Sequence, residues 1–374
     1  MAVKKKLRSG FTTGTAAAAA AKGALSLILT GEKPTSVRIE LLTGNDIVIP
    51  IHTCVSRGEK KAKCTVIKDA GDDPDITHKA EIGATVTLLD KGNHSVFIIG
   101  GKGVGIVTKP GLEVKPGEAA INLGPRKMIM QAVAEILKIN NKDISVKVEV
   151  FVPDGERLAE KTLNPRLGIL GGISILGTTG VERPMSHDAY IATIKSSLSV
   201  AKASGLKEVV FTTGRRSERF SQALYEKLPE EAFIQIGDFF KMSLEAASKE
   251  GFNKITLAVF FGKALKMAQG VPHTHAAKSR LSLKKLSEWS FEITGNREFA
   301  ENLLNANTAR HAFDLMVKKY PKVVLHVGRK MIEAAQIFAD SDIIMQGIIF
   351  DFNGNVVFDS EAKGSLIFKQ TLRR

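Results

Sequence analysis

The stretch Thr12-Thr13-Gly14-Thr15 followed by six consecutive alanines, Ala16 to Ala21, constrains this chain more than any other. Alanine is the strongest helix former and carries nothing beyond its Cβ, so a helix is predicted over residues 14–29. Thr13 or Thr15 can cap it, and Gly31 with Pro34 ends it. Such a helix lets another backbone or a flat ligand come very close. At its start, Thr12, Thr13, Gly14 and Thr15 offer backbone N–H groups and hydroxyls to an anion, where the helix dipole adds its attraction. A capped helix packed tightly into a core accounts for the same residues equally well.

The stretch that follows alternates short strands with turns. Strands are expected at 36–42, 46–54, 62–68, 85–89, 95–99, 105–108 and 144–151, with turn chemistry at Gly44-Asn45 and Gly92-Asn93 and a helix at 125–137. This spacing predicts an α+β domain over residues 1–160. After Pro165, strand-like runs at 172–176, 208–212, 232–236 and 254–260 each lead into a turn and a helical stretch. The expected helices are 188–204, 218–227, 241–250 and 284–290. Helical pattern continues over 297–320, followed by a strand at 322–327, a helix at 330–339 and a hairpin of 342–351 with 356–359. Alternation of this kind predicts an α/β domain, 161–374, with a mostly parallel, doubly wound sheet.

Basic residues exceed acidic ones by 53 − 39 = 14, and the isoelectric point is near 9.6. That surplus favours anionic partners without choosing among them. Cys54 and Cys64, the only cysteines, form neither a C-x-x-C pair nor a zinc set, so reduced thiols are expected. Lys4, Lys5, Lys6 and Arg8 ahead of the alanines imitate a signal peptide, but Thr12, Thr13 and Thr15 interrupt the apolar region and no cleavage site precedes Glu32. No run is long enough to span a membrane, and a cytoplasmic protein is expected.

Gly/Thr turns recur at ILGTTG (175–180) and VFTTGRRSERF (210–220), at the ends of predicted parallel strands, where open α/β sheets bind ligands. Arg215, Arg216 and Arg219 in the second suit carboxylates or phosphates. G-x-G-x-x-G and Walker A motifs are absent; Gly101, Gly103 and Gly105 alternate without the third required glycine and serve equally as a tight turn. DAGDDPD (69–75) crowds Asp69, Asp72, Asp73 and Asp75, as a base, a ribose or metal ligand, or simply an Asx-rich turn. His273 and His275 suit proton handling better than metal binding, because no third ligand is near. His187 is expected at a helix start.

Taken together, SGFTTGTAAAAAAKGAL, KDAGDDPDITHKAEIG (68–83), GKGVGIVTKPGLEVKPGEAAIN (101–122), NPRLGILGGISILGTTGVERPMS (164–186) and the HTH segment resemble the CbiD family of anaerobic cobalamin biosynthesis. The likeness runs from residue 7 to about 290; one departure is Leu123, where Asn-Pro is expected. The resemblance implies a methyltransferase that carries a methyl group from S-adenosylmethionine to ring carbon C1 of cobalt-precorrin-5B. It implies no protein-bound metal, since cobalt arrives inside the substrate. On this reading Gly177, Thr178, Thr179 and Gly180 lie against the methyl donor, and Thr12, Thr13, Arg215 and Arg216 hold carboxylates of the anionic tetrapyrrole. Asp72, or else His273, accepts a proton. No nucleic acid or membrane partner is implied, and a homo-oligomer stays open. Two rivals are a small-molecule phosphotransferase with a phosphate cradle at 12–15, and a nucleic-acid-binding protein, against which the 6% aromatic content speaks.

Overall fold

A computed structural model describes residues 7–89, 95–275, 279–340 and 342–362. Lys4 to Lys6 and the turn expected at Gly92-Asn93 lie outside them. The chain forms two compact units, Met1–His187 and Asp188–Arg374, and both mix α and β structure.

In the first unit, helix α1 (Thr13–Thr30) is capped by Thr12, whose hydroxyl accepts the N–H of Thr15 at 3.2 Å. Thr12 rather than Thr13 or Thr15 takes this place because its backbone is extended while Thr13 is already helical. Gly31, at φ +75°, ends the helix in the left-handed conformation that glycine adopts without penalty. Strands β1 (Ser36–Glu40) and β2 (Asp46–Pro50) form a hairpin. The main sheet contains β3 (Thr53–Ser56), β4 (Lys61–Ile67), β5 (Glu81–Leu89), β6 (Val96–Gly100) and β7 (Ser145–Phe151). Its order is β3-β4-β5-β7-β6, antiparallel except for the β7–β6 pair. The parallel pair is reached by a crossover that contains helix α2 (Leu123–Ile139), and a short helix α3 (Gly155–Ala159) follows β7.

Period-two alternation supplies the core. Ala62, Cys64 and Val66 of β4, Ile82, Ala84 and Val86 of β5, and Val146, Val148 and Val150 of β7 are fully buried in one cluster with α1 and α2. All seven alanines of α1, Ala16 to Ala21 and Ala24, sit in that cluster with no exposed surface. Small side chains are what allow a helix to lie this deep between a sheet and a second helix. Cys54 and Cys64 stand opposite each other across β3 and β4 and are joined as a disulfide, which corrects the expectation of reduced thiols. Direct cross-strand register brings their Cα atoms to 4.1 Å. The alternating glycines also resolve into packing: a Cβ on Gly103 (φ +74°) would lie 1.9 Å from the carbonyl oxygen of Val152.

Residues after 160 stay with the first unit. Ile169–Leu170 pairs with Ile106–Val107, Gly172–Ile173 with Gly103–Val104, and Val181–Glu182 with Gly10–Phe11. These two-residue ladders move the division from near residue 160 to His187. They also shorten the strand expected at 172–176.

The second unit begins with α4 (His187–Ala203) and continues β8 (Glu208–Thr212), α5 (Arg215–Leu224), β9 (Phe233–Gln235), α6 (Phe240–Glu250), β10 (Lys254–Phe260) and α7 (Phe261–Met267). Helices α8 (Ser279–Thr294), α9 (Arg297–Leu304), α10 (Ala309–Met316) and α11 (Pro321–Phe338) precede β11 (Ile344–Phe350) and β12 (Val356–Asp359). The sheet order is β9-β8-β10-β11-β12, parallel except for the last pair. Val209, Phe211, Ile255, Leu257 and Val259 face one buried cluster, whereas Val210, Ala258, Ile348 and Phe350 face another. Near-continuous apolar runs are what a sheet covered on both faces requires. The strand expected at 322–327 is instead the first half of α11. Pro321 opens that helix, and Val323, Val324, Val327 and Met331 are buried at helical spacing.

Ala19→Leu adds three carbons where α1 has no free space. We expect a loss of about 2 kcal/mol in stability, read from the urea midpoint. An unchanged midpoint would show that α1 is loosely packed.

Candidate functional site

The start of α1 is closed by the chain itself. The N–H of Gly14 donates to the carbonyl of Leu176 at 2.9 Å, and the N–H of Thr12 donates to that of Gly180 at 3.1 Å. Thr15 donates its hydroxyl to Gly180 O at 2.7 Å, and Thr13 Oγ1 accepts the N–H of Leu176 at 2.8 Å. Thr12, Thr13 and Thr15 are at most 7% exposed. Two carbonyl oxygens therefore occupy the place an anion would take, and the threonine hydroxyls are spent holding residues 176–180. Sequence proximity to the helix dipole had pointed Thr12 and Thr13 at substrate; the fold turns them inward. Gly177 (φ +144°) permits this contact, since a Cβ there would lie 2.3 Å from Thr12 Oγ1. In the same turn Gly180 is buried, whereas Thr178 and Thr179 are exposed.

The aspartate-rich loop is a clasp in which each carboxylate has a partner. Asp69 pairs with Arg8, whose hydrogen bond and charge hold its carboxyl down to about 2. Asp72, an exposed residue, accepts the backbone N–H of Arg8 at 2.7 Å, and Asp73 accepts that of Met185 at 2.8 Å. Asp75 meets Lys68, whose side chain is only 1% exposed and lies 3.5 Å from Glu182. Burial pushes Asp75 up, but the Lys68 charge and bonds from Lys68 and Thr77 outweigh it and hold the carboxyl below its usual range. Burial is the larger effect at Glu182 and raises it. Glu182 is thus a carboxyl of this unit with raised proton affinity. Neither Lys68 nor Glu182 stood out in the sequence, because their partnership depends on Gly10–Phe11 pairing with Val181–Glu182.

In the second unit the strand order reverses between β8 and β10, the point where open α/β sheets bind ligands. The carboxyl edge there is polar. Asp238, beyond β9, pairs with Lys263 of α7, beyond β10, so this ion pair spans the end of β8. Thr274 donates its hydroxyl to Asp238 at 3.2 Å, and Lys266 donates to the carbonyls of Thr274 and His275 at 3.2 and 3.0 Å. Burial would raise Asp238, but the bond and charge of Lys263 prevail and lower it. Burial lowers Lys266, with the neighbouring Lys263 adding to the effect. His273 packs edge-on against Phe239 with ring centres 4.9 Å apart, and His275 lies 6.3 Å from His273.

The end of β8 is open. A Cβ on Gly214 would meet nothing within 4 Å, and Arg215 and Arg216 are exposed. The Arg216 guanidinium lies 5.4 Å from the Phe260 ring centre and 5.7 Å from that of Phe352, and it donates to the Phe352 carbonyl. Thr212 Oγ1, fully buried at the last position of β8, has no hydrogen-bond partner among the described residues. Of the residues predicted from sequence, Arg215, Arg216 and His273 therefore fall in the second unit. Thr12, Thr13, Asp72 and Gly177–Gly180 fall in the first. Among the described residues, no three His, Cys, Asp or Glu side chains come together as a metal-binding group. No described helix is long and apolar enough to cross a membrane.

Replacing Lys68 by Met leaves Asp75 and Glu182 half-buried without their cation. The expected cost is about 3 kcal/mol, measured by urea denaturation. A neutral effect would mean that the cluster is well solvated.

The CbiD family model matches residues 1–184, and the model of the CbiD C-terminal domain matches residues 273–361. A relative from Geobacillus kaustophilus (strain HTA426), named cobalt-precorrin-5B C(1)-methyltransferase, is 45% identical over 316 residues, 84% of each chain. One of the same name from Agrobacterium fabrum (strain C58 / ATCC 33970) is 42% identical over 357 residues, 96% of this chain and 92% of its own. A crystal structure of the cobalamin biosynthesis protein CbiD from Archaeoglobus fulgidus aligns at TM-score 0.38 and 28% identity, covering 68% of this chain and 78% of that one. With identity of this order along most of its length, the chain belongs to the CbiD family.

Proposed function

We propose that this chain transfers the methyl group of S-adenosylmethionine to C1 of cobalt-precorrin-5B, giving cobalt-precorrin-6A in cobalamin biosynthesis. The observation that carries this reading is the 45% identity, over 84% of both chains, to a relative named for that methylation. The chemistry is a displacement. The ring carbon contributes the electron pair of the new C–CH3 bond while the S–CH3 bond breaks, its pair stays on sulfur, and S-adenosylhomocysteine leaves. The donor supplies an electrophilic methyl group; the protein supplies alignment and exclusion of water.

The substrate carries a rim of acetate and propionate groups, and the net charge of +14 attracts such a polyanion. Arg215 and Arg216 are assigned to those carboxylates. Both are exposed at the start of α5, and the aromatic rings around Arg216 fix its guanidinium in advance. The doubly wound arrangement proposed for the second unit places them at the strand ends where ligands of such folds collect. His273, half-buried beside Phe239, is kept as the acceptor of the proton released from the macrocycle; Asp72 is not, since it already binds the Arg8 backbone. The methyl donor is assigned to the turn Gly177–Gly180, where Thr178 and Thr179 reach solvent.

Anaerobic incubation with cobalt-precorrin-5B and methyl-labelled S-adenosylmethionine tests the function. Label is expected on C1 of the product, and label elsewhere, or none, contradicts it. In that assay Arg215→Ala should raise KM for the tetrapyrrole roughly tenfold, the worth of one charge-assisted hydrogen bond, with KM for the methyl donor nearly unchanged. Equal loss of both would remove Arg215 from substrate binding.

A further inference from the structure

The end of α7 away from the sheet edge opens on a second feature. A cavity of about 620 Å³ is lined by Gln269 after α7, by Lys284, Lys285, Glu288 and Trp289 of α8, and by Lys330 of α11. Three lysines and Glu288 are among its lining residues, and the small exposed part of the largely buried Trp289 forms part of one wall. Lys285 stands 5.8 Å from the centre of the Trp289 ring. It also bonds Glu288 at 2.8 Å, while Lys330 bonds Glu333 at 2.6 Å. Both pairs are exposed i, i+3 pairs, of the kind that contributes little to stability. A stronger anion can therefore recruit these lysines at small cost.

Behind the tryptophan lies His326, one helical turn before Lys330, with ring centres 5.2 Å apart. Its Nε2 is buried and has no hydrogen-bond partner among the described residues. Burial, with Lys330 adding to it, lowers the proton affinity of His326, which favours the neutral ring.

We propose that this cavity is a binding site for a nucleoside phosphate, separate from the tetrapyrrole site, with phosphate oxygens on Lys284, Lys285 and Lys330 and the base against Trp289. Its volume lies within the usual range for small-molecule sites. S-adenosylmethionine is a poor candidate, because its sulfonium would be repelled by three ammonium groups. The proposal stands independently of the methyl-transfer reading, since it uses none of the residues assigned to that reaction.

Trp289 is the only tryptophan in the chain, so its fluorescence reports directly on the cavity. Titration of the full chain with ATP should give a saturable fluorescence change. The Lys284→Ala/Lys330→Ala double variant, altered in two side chains at the cavity rim, should bind ATP at least roughly tenfold more weakly, with methyl transfer unchanged. Adenosine and tripolyphosphate, as separate probes, should each bind more weakly than ATP. No saturation with ATP, an unaltered affinity in the double variant, or tripolyphosphate binding as tightly as ATP would overturn the proposal. Equilibrium dialysis with labelled ATP gives the same answer without the fluorophore, so the Trp289→Phe variant can also be scored.

Discussion

The contact between the start of α1 and the turn at residues 176–180 organises the first unit. A helix lined with alanine contributes little apolar area of its own, so it is useful only where its slimness lets larger residues close around it. The carbonyls of Leu176 and Gly180 complete that closure by taking the N–H groups of Gly14 and Thr12 and the hydroxyl of Thr15. One end of the unit is thereby sewn to the other, and an attractive anion site is converted into an internal joint. The aspartate loop repeats this device beside it, with Arg8 and Met185 held by Asp72 and Asp73.

Polarity that is not consumed this way is found at the sheet edge of the second unit. The Asp238–Lys263 pair, with Thr274 bonded to it, braces the ends of β9 and β10, while Arg215 and Gly214 remain open at the end of β8. A braced rim beside an open strand end suits a ligand with several carboxylates, because the fixed charges need little reorganisation when it arrives. The net positive charge of the whole chain acts at longer range, on encounter rather than on fit.

Much of this was legible in the residues. Near-continuous apolar runs located β8 and β10 to the residue, and the Thr/Gly start and Gly31 located α1 to within a residue or so. The errors have physical causes. The β-branched cluster at 322–327 imitates a strand, and only burial at helical spacing through Met331 reveals the helix. Helix α7 was missed because its seven residues directly follow a buried strand, with no polar break between them. The true division at His187 depends on two-residue ladders to partners far away in the chain, which no local pattern encodes. For the same reason Thr12 and Thr13 looked like ligand donors: a hydroxyl's chemistry is visible in sequence, but the carbonyl that already occupies it is not. Lys68 and Glu182 escaped notice on similar grounds, since a buried ion pair advertises itself only after folding.

The α1 start is filled by the protein's own carbonyls, and the carboxyl edge of the second unit is the place proposed for the polyanionic substrate. Hydrogen–deuterium exchange with and without bound cobalt-precorrin-5B tests it most directly. Substrate should protect amides at 213–216 and 261–275 and leave those at 12–15 as slow as before. Protection that appears at 12–15 and is absent from 213–216 would contradict the account.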